Sequence, residues 1–256
     1  MLPIKAKEIK SNEPNSLILV SDPKCGKSTI LAQLPDSLII STEPKGYDFL
    51  SANYVEALNH KDFKAITKEL LEIKPFPYKF VCIDTMTSLD EWSEDVGTIN
   101  YMKSTQGKRF NRTEDGIPIT RSDVNWQTVH DLANGSGYKW SRSVMTEWID
   151  TYLFLPCHII FVAHSNSIMI GESELKEKTL LVTGKLRTII PSRVDGVGFM
   201  YREKDTNYLS FDPNQLNLAY GCRFDLGNRV EISKKINNKI TTKWENIFPS
   251  ITKHNN

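Results

Sequence analysis

The sequence predicts an α/β fold with a mostly parallel central sheet, flanking helices and added antiparallel strands toward the C-terminus. Three observations predict it. Short, continuously apolar runs recur at residues 16–20, 37–41, 79–84 and 158–164, the pattern of strands buried on both faces. Segments with helical spacing lie between them, and strand–helix alternation of this kind builds a parallel sheet with helices on both faces. Beyond residue 164 the period changes: Val197, Phe199 and Tyr201 alternate, as do Leu216, Leu218 and Tyr220, with a short apolar run at 209–211 between them.

Taken in order, the run 16–20 ends in a turn. Residues 28–34 then place Ile30, Leu31 and Leu34 on one helical face until Pro35 stops them. After the second strand, Phe63, Ile66, Leu70 and Ile73 have helical spacing. The third strand closes on a carboxylate, Asp84, and Leu89, Trp92 and Val96 predict another helix. Residues 99–139 are polar and without strong periodicity, the mark of a long connection that is functional or partly disordered. Val144, Met145, Trp148, Ile149, Tyr152 and Leu153 predict an amphipathic helix before the fourth strand. The expected organisation is a single domain over 14–250 carrying the long polar insertion, with flexible segments at 1–13 and 251–256.

Composition narrows the function classes. The 256 residues carry a net charge of +1, so contact with nucleic acid must come from local patches. Cys25, Cys82, Cys157 and Cys222 form no CxxC pair, which argues against a zinc site or a disulfide framework and for reduced intracellular thiols. The N-terminus lacks the apolar core of a signal peptide, and no run reaches the ~20 residues of a membrane span. A soluble, cytoplasmic chain is expected.

Ser21-Asp22-Pro23-Lys24-Cys25-Gly26-Lys27-Ser28-Thr29 carries the most specific signal. It matches the phosphate-binding pattern GxxxxGK[ST] except at the first position, where Ser21 stands for glycine, and it lies between a predicted strand and helix. Backbone N–H groups at a helix N-terminus favour phosphate. Lys27 would reach the β- and γ-phosphates, and the Ser28 hydroxyl would bind Mg²⁺. ATP and Mg²⁺ are the expected cofactors. Ser21 predicts a slightly altered loop.

Asp84 ends an apolar strand, as a carboxylate that holds Mg²⁺ through water does; its plainer role is to cap the helix that follows. Glu43 follows the second strand in Ser41-Thr42-Glu43-Pro44, where a carboxylate can polarise water, or serve as an ordinary loop residue. His164 ends the fourth strand, as a phosphate-sensing or a satisfied polar group. His158, inside the strand, reads as structural.

The ordered segments SDPKCGKST, ISTEPKG, FVCIDTMTSL, NGSGYKWSR, HIIFVAHSN and RVDGVGFMYRE resemble the phage-type RecA-like P-loop ATPases. That group includes the Sak-type single-strand annealing and recombination proteins and is akin to RecA, RadA and the DnaB core. The resemblance covers residues 14 to 232, and Gly137-Tyr138-Lys139 and the VAH tip narrow it to the phage group. It implies a RecA-like fold and ATP-driven work on single-stranded DNA in recombination, annealing or replication. It implies a ring or filament of subunits with ATP between neighbours, and a phage single-strand binding protein as partner. It also implies that Glu43 orients the attacking water and that His164 sits between the phosphate-loop and Asp84 strands. A neighbour's arginine would complete the site: Arg223 in Gly221-Cys222-Arg223 is the candidate, with Lys185 and Arg187 competing.

DNA contacts are expected from basic loops: Lys103, Lys108, Arg109, Arg112 and Arg121; then Lys176, Lys178, Lys185, Arg187 and Arg193; then Lys234, Lys235, Lys239 and Lys243 with Trp244 alongside. Solvated faces are their plainer reading. Three rivals remain: a helicase or helicase-loading ATPase, a P-loop small-molecule kinase with a lid at 99–139, and an ATP-gated single-strand-binding module without turnover.

Overall fold

The computed structural model describes residues 12–107, 128–169, 176–212, 220–237 and 239–254. Strands β1 (Ser16–Ser21), β2 (Ser37–Ser41), β3 (Tyr54–Glu56), β4 (Phe80–Asp84) and β5 (His158–Met169) alternate with helices α1 (Lys27–Leu31), α2 (His60–Glu72), α3 (Met86–Lys103) and α4 (Tyr138–Leu153). The chain continues through β6 (Lys176–Leu180), α5 (Leu186–Ile189), β7 (Gly196–Glu203), β8 (Thr206–Ser210), β9 (Gly221–Cys222), β10 (Arg229–Ile236) and β11 (Lys239–Thr242). The sheet order is β11-β10-β8-β7-β1-β5-β4-β2-β3, with β6 on β5 and β9 on β7. From β7 to β3 the pairing is parallel, and β8, β10 and β11 extend it antiparallel. The predicted fold class is the one observed.

Every residue of β1, β2 and β4 is buried, because helices cover both faces. On one face α2, α3 and α4 pack over Ile18, Val20, Val81 and Ile83. Phe63 of α2 meets the rings of Trp92, Trp148 and Tyr152 there. On the other, Ile30 and Leu31 of α1 share a core with Trp244, Ile247 and Phe248. Register decides where polar residues land. Ser21 pairs with His164, Ser41 with Asp84, and Asp84 with Val162, so the C-terminal ends of β1, β2 and β4 meet at one edge beside His164 of β5.

Several boundaries differ from the sequence reading. α1 stops at Leu31, three residues short. β3 carries no apolar run long enough to announce it. α3 continues to Lys103, into the segment read as aperiodic. The reason is helix packing: a Cβ on Gly97 would lie 2.7 Å from the Ser141 backbone nitrogen, so α3 and α4 cross at close range and the apolar stripe narrows. Residues 108–127, with Lys108, Arg109, Arg112 and Arg121, lie outside the described residues, as does most of the predicted alternating run at 216–220. β5 runs past His164 to Met169 and returns as β6.

At the chain ends, Glu13 is buried, accepts the Ser250 N–H at 2.8 Å and faces His158 Nε2 at 3.5 Å. Ile251 packs against the second core. All four cysteines are free thiols. Among the described residues no helix is long and apolar enough to cross a membrane.

Candidate nucleotide site

The loop between β1 and α1 is built around Gly26, whose φ of 92° lies in the left-handed region. A Cβ there would be strained and would also come within 3.2 Å of the Arg202 guanidinium. Ser21 stands where the pattern has its first glycine. It is the last residue of β1, fully buried, and its hydroxyl donates to the Asp22 carbonyl at 2.9 Å. The Lys27 ammonium donates to Ser21 Oγ and to the Asp22 carbonyl, each at 3.1 Å. The serine thus supplies an acceptor that glycine lacks. α1 has only five residues, so an anion at this loop would meet loop N–H groups and Lys27 more than a helix dipole.

Asp84 sits at the tip of β4 with 6% exposure. Its Oδ2 accepts from Ser28 Oγ at 3.2 Å and from Tyr47 Oη at 2.7 Å. Its backbone carbonyl accepts from the Thr42 hydroxyl at 3.2 Å and the Thr42 N–H at 2.7 Å. The Asp84–Thr85 peptide is cis. The tip therefore has two well-held oxygens, one hydroxyl and one carboxylate. Mg²⁺ takes oxygen ligands and keeps several waters, so this donor set fits it. Among the described residues no group of three or more His, Cys, Asp or Glu side chains is placed to hold a metal. Mg²⁺ held here would complete its shell with water and phosphate oxygens.

Glu43 is exposed and lines the same cleft of about 330 Å³ as Lys24, Gly26, Lys27, Ser28, Thr29, Asp84 and His164. Its backbone is fixed by the Ser41 hydroxyl, which donates to the Glu43 carbonyl at 3.0 Å. His164 Nδ1 is buried and has no hydrogen-bond partner, a polar atom left open toward a ligand. Burial, and secondly the Lys27 charge, hold the His164 imidazole below its ordinary range, so it is neutral at pH 7. Burial also pushes Lys27 down, against the pull of Asp84 and Glu43. Burial pushes Asp84 up, against the Tyr47 hydrogen bond and the Lys27 charge.

The structure thus gathers Ser21 through Thr29, Glu43, Asp84 and His164 at one edge. Arg223 lies elsewhere. It follows β9, which pairs with Gly196 and Val197 where β7 begins, and it bonds Asp195 at 3.1 Å at the opposite end of the sheet from Ser28. Within one chain it takes no part in the cleft. Arg187 donates to the Val182 carbonyl, and Lys185 is the N-cap residue of α5. His158 is structural in its contacts, bonding the Pro14 carbonyl at 3.0 Å between the rings of Phe80 and Phe248. Trp244 is no stacking platform: it is 2% exposed and donates Nε1–H to the Ile30 carbonyl. Lys243 pairs with Glu231, and Arg193 with Asp150.

Two features escaped the sequence reading. Tyr47 in Lys45-Gly46-Tyr47-Asp48 carries no motif that marks it as a partner of Asp84. The second is a tie between the loop and the β5–β6 hairpin: Asp22 accepts from Lys178 Nζ at 2.6 Å and from the Ser165 hydroxyl. Lys178 also lies 4.7 Å over the Phe199 ring.

Among solved structures, the chain is similar to the RadB recombinase at 9% identity and a TM-score of 0.45, covering 90% of this chain and 92% of that one. It is also similar to a KaiC-like protein from the hyperthermophilic archaeon Pyrococcus horikoshii at 11% identity and a TM-score of 0.43, covering 89% of each. No curated protein matches the sequence. The family model described as AAA domain matches residues 13–230, from the strand before the phosphate loop into β10, and the chain belongs to that family.

Proposed function

We propose that this chain is a Mg²⁺-dependent ATPase that acts on single-stranded DNA, in recombination, annealing or replication. One observation carries the hydrolytic part: Lys27, Ser28, Asp84 and Glu43 reach a single cleft from three separate strand ends. On this reading Lys27 leaves the Ser21 hydroxyl and Asp22 carbonyl for the phosphates of ATP. Ser28 and Asp84 hold Mg²⁺, which when bound neutralises phosphate charge. Glu43 accepts a proton from the attacking water and orients it. Neutral His164 offers its open nitrogen to the terminal phosphate. A second copy of the chain supplies the missing cation, Arg223 or Lys185 and Arg187, within a ring or filament.

The DNA part is supported by the hairpin. Lys178 lies on β6 and touches the phosphate loop through Asp22, so an anion that draws Lys178 away would alter the loop. The resemblance to phage annealing ATPases supports the same partner and a host-cytoplasmic setting, with a single-strand binding protein alongside.

The test is ATP hydrolysis with and without single-stranded DNA for wild type, Lys27→Ala and Glu43→Gln. DNA should raise wild-type turnover, and Glu43→Gln should bind ATP but turn over at least about 100-fold more slowly. ATP binding without turnover in either condition would leave a nucleotide-gated binding module and remove Glu43's role.

A further inference from the structure

A carboxylate at a strand tip can turn about its Cβ–Cγ bond, and a metal site needs that turn stopped. For Asp84 the two side-chain restraints are the hydroxyls of Ser28 at 3.2 Å and Tyr47 at 2.7 Å, both on Oδ2. Ser28 is the longer of the two, and it is the group that turns to the metal on the reading above. Tyr47 is then the donor that stays with the carboxylate. Its ring is 1% exposed and lies 5.6 Å from the Tyr54 ring, which fixes the phenol's aim.

Tyr47 also lies four residues beyond Glu43 on a tightly returned segment. Gly46 N–H donates to the Glu43 carbonyl at 3.3 Å, and Lys45 N–H donates to Glu56 Oε1 at 2.7 Å. Thr42 ties this segment to the Asp84 backbone, and the phenol ties it to the Asp84 carboxylate. We propose that Tyr47 is a positioning residue: it holds Asp84 in the orientation that takes Mg²⁺ and sets the Glu43 segment beside it, without touching nucleotide. The inference rests on the Mg²⁺–nucleotide reading and extends it.

The test is binding of a fluorescent ADP analogue, in EDTA and across a Mg²⁺ titration, for wild type, Tyr47→Phe, Asp84→Asn and the double variant, with thermal melting of each. Tyr47→Phe keeps the ring and loses only the hydroxyl. The expected result is unchanged affinity in EDTA and a Mg²⁺ half-saturation raised about ten-fold, the usual size for losing a group that orients a ligand. In the Asp84→Asn background the same change should do nothing further. A Tyr47→Phe curve identical to wild type overturns the proposal. So does an equal loss of affinity with and without Mg²⁺, which marks a packing role alone. Additive losses in the double variant overturn it too. If wild type binds nucleotide with no Mg²⁺ dependence, the parent reading falls instead, an outcome separate from the other three.

Discussion

Where β1, β4 and β5 begin, the chain encloses a groove of about 780 Å³ lined by Glu13, Lys79, Cys157, His158, Arg193 and Asp195. Where the same strands end, the cleft is about 330 Å³. Size favours the first, yet its polar groups are already satisfied. His158 bonds the Pro14 carbonyl and faces Glu13. Asp195 accepts from the N–H groups of Asn15 and Ser16, from the Ser16 hydroxyl and from Arg223. The smaller cleft holds the unfinished chemistry: a lysine resting on a hydroxyl and a carbonyl, a buried carboxylate, and an imidazole nitrogen with no partner. A buried polar atom without a partner, beside a buried lysine and a buried carboxylate, marks a ligand site better than volume does.

The sharpest way to break this contrast is Lys27→Ala. Removing a buried cation from a phosphate site costs about 3 kcal/mol, roughly 100-fold in affinity. Equilibrium binding of ATP should fall by that factor while thermal stability holds. Unchanged binding would erase the distinction between the two ends. His158→Ala probes the other end. It removes a ring packed between Phe80 and Phe248, together with its bond to the Pro14 carbonyl and its contact with Glu13. A loss of about 2 kcal/mol in denaturant unfolding is expected, with nucleotide affinity unaltered. A drop in affinity beyond the unfolded fraction would mean that the large groove serves the site.

Much of this contrast was legible in the sequence, for physical reasons. Strands buried on both faces announce themselves as unbroken apolar runs, and β1, β2, β4 and β5 did. Lys27 and Ser28 follow a loop whose chemistry fixes its residue types, and register brings Asp84, at the end of β4, to the same edge as His164, although β5 runs on past it. Tyr47 was not legible, because nothing local distinguishes a loop tyrosine that turns inward from one that does not. Trp244 misled for the opposite reason. Its basic neighbours Lys239 and Lys243 suggest a surface, but the indole turns under α1, while the lysines stay exposed or pair with Glu231. The C-terminal extension was hardest, since β10 and β11 are polar and only half-buried.

Trp244 gives the next test. Trp244→Phe keeps most of the buried ring and loses the bond to the Ile30 carbonyl beneath the phosphate loop. It should cost about 1 kcal/mol in unfolding and leave any binding of single-stranded DNA unchanged, measured by fluorescence anisotropy. A selective loss of DNA binding would restore the indole as a contact.

The smallest effect concerns the tie between the two halves of the phosphate end. The Lys178 hydrogen bond, and then the Ser165 hydroxyl, hold the Asp22 carboxyl below its ordinary value of 3.8. A carboxyl whose folded pKa is depressed stabilises the fold fully above its unfolded pKa. That contribution is lost as pH falls below about 3.8 toward the folded value. Both side chains are well exposed, 38% for Lys178 and 47% for Asp22, so solvent screening limits the pair to about 0.5 kcal/mol. Lys178→Met should therefore melt slightly below wild type at pH 7, and the gap should close in acid and shrink in high salt. The more telling result is kinetic. If Lys178 links the hairpin to the loop, the variant keeps DNA-independent turnover and loses part of the stimulation by DNA. A gap that persists unchanged in acid would show that Lys178 acts through its packing on Phe199, and the hairpin would then be support for the loop rather than a route into it.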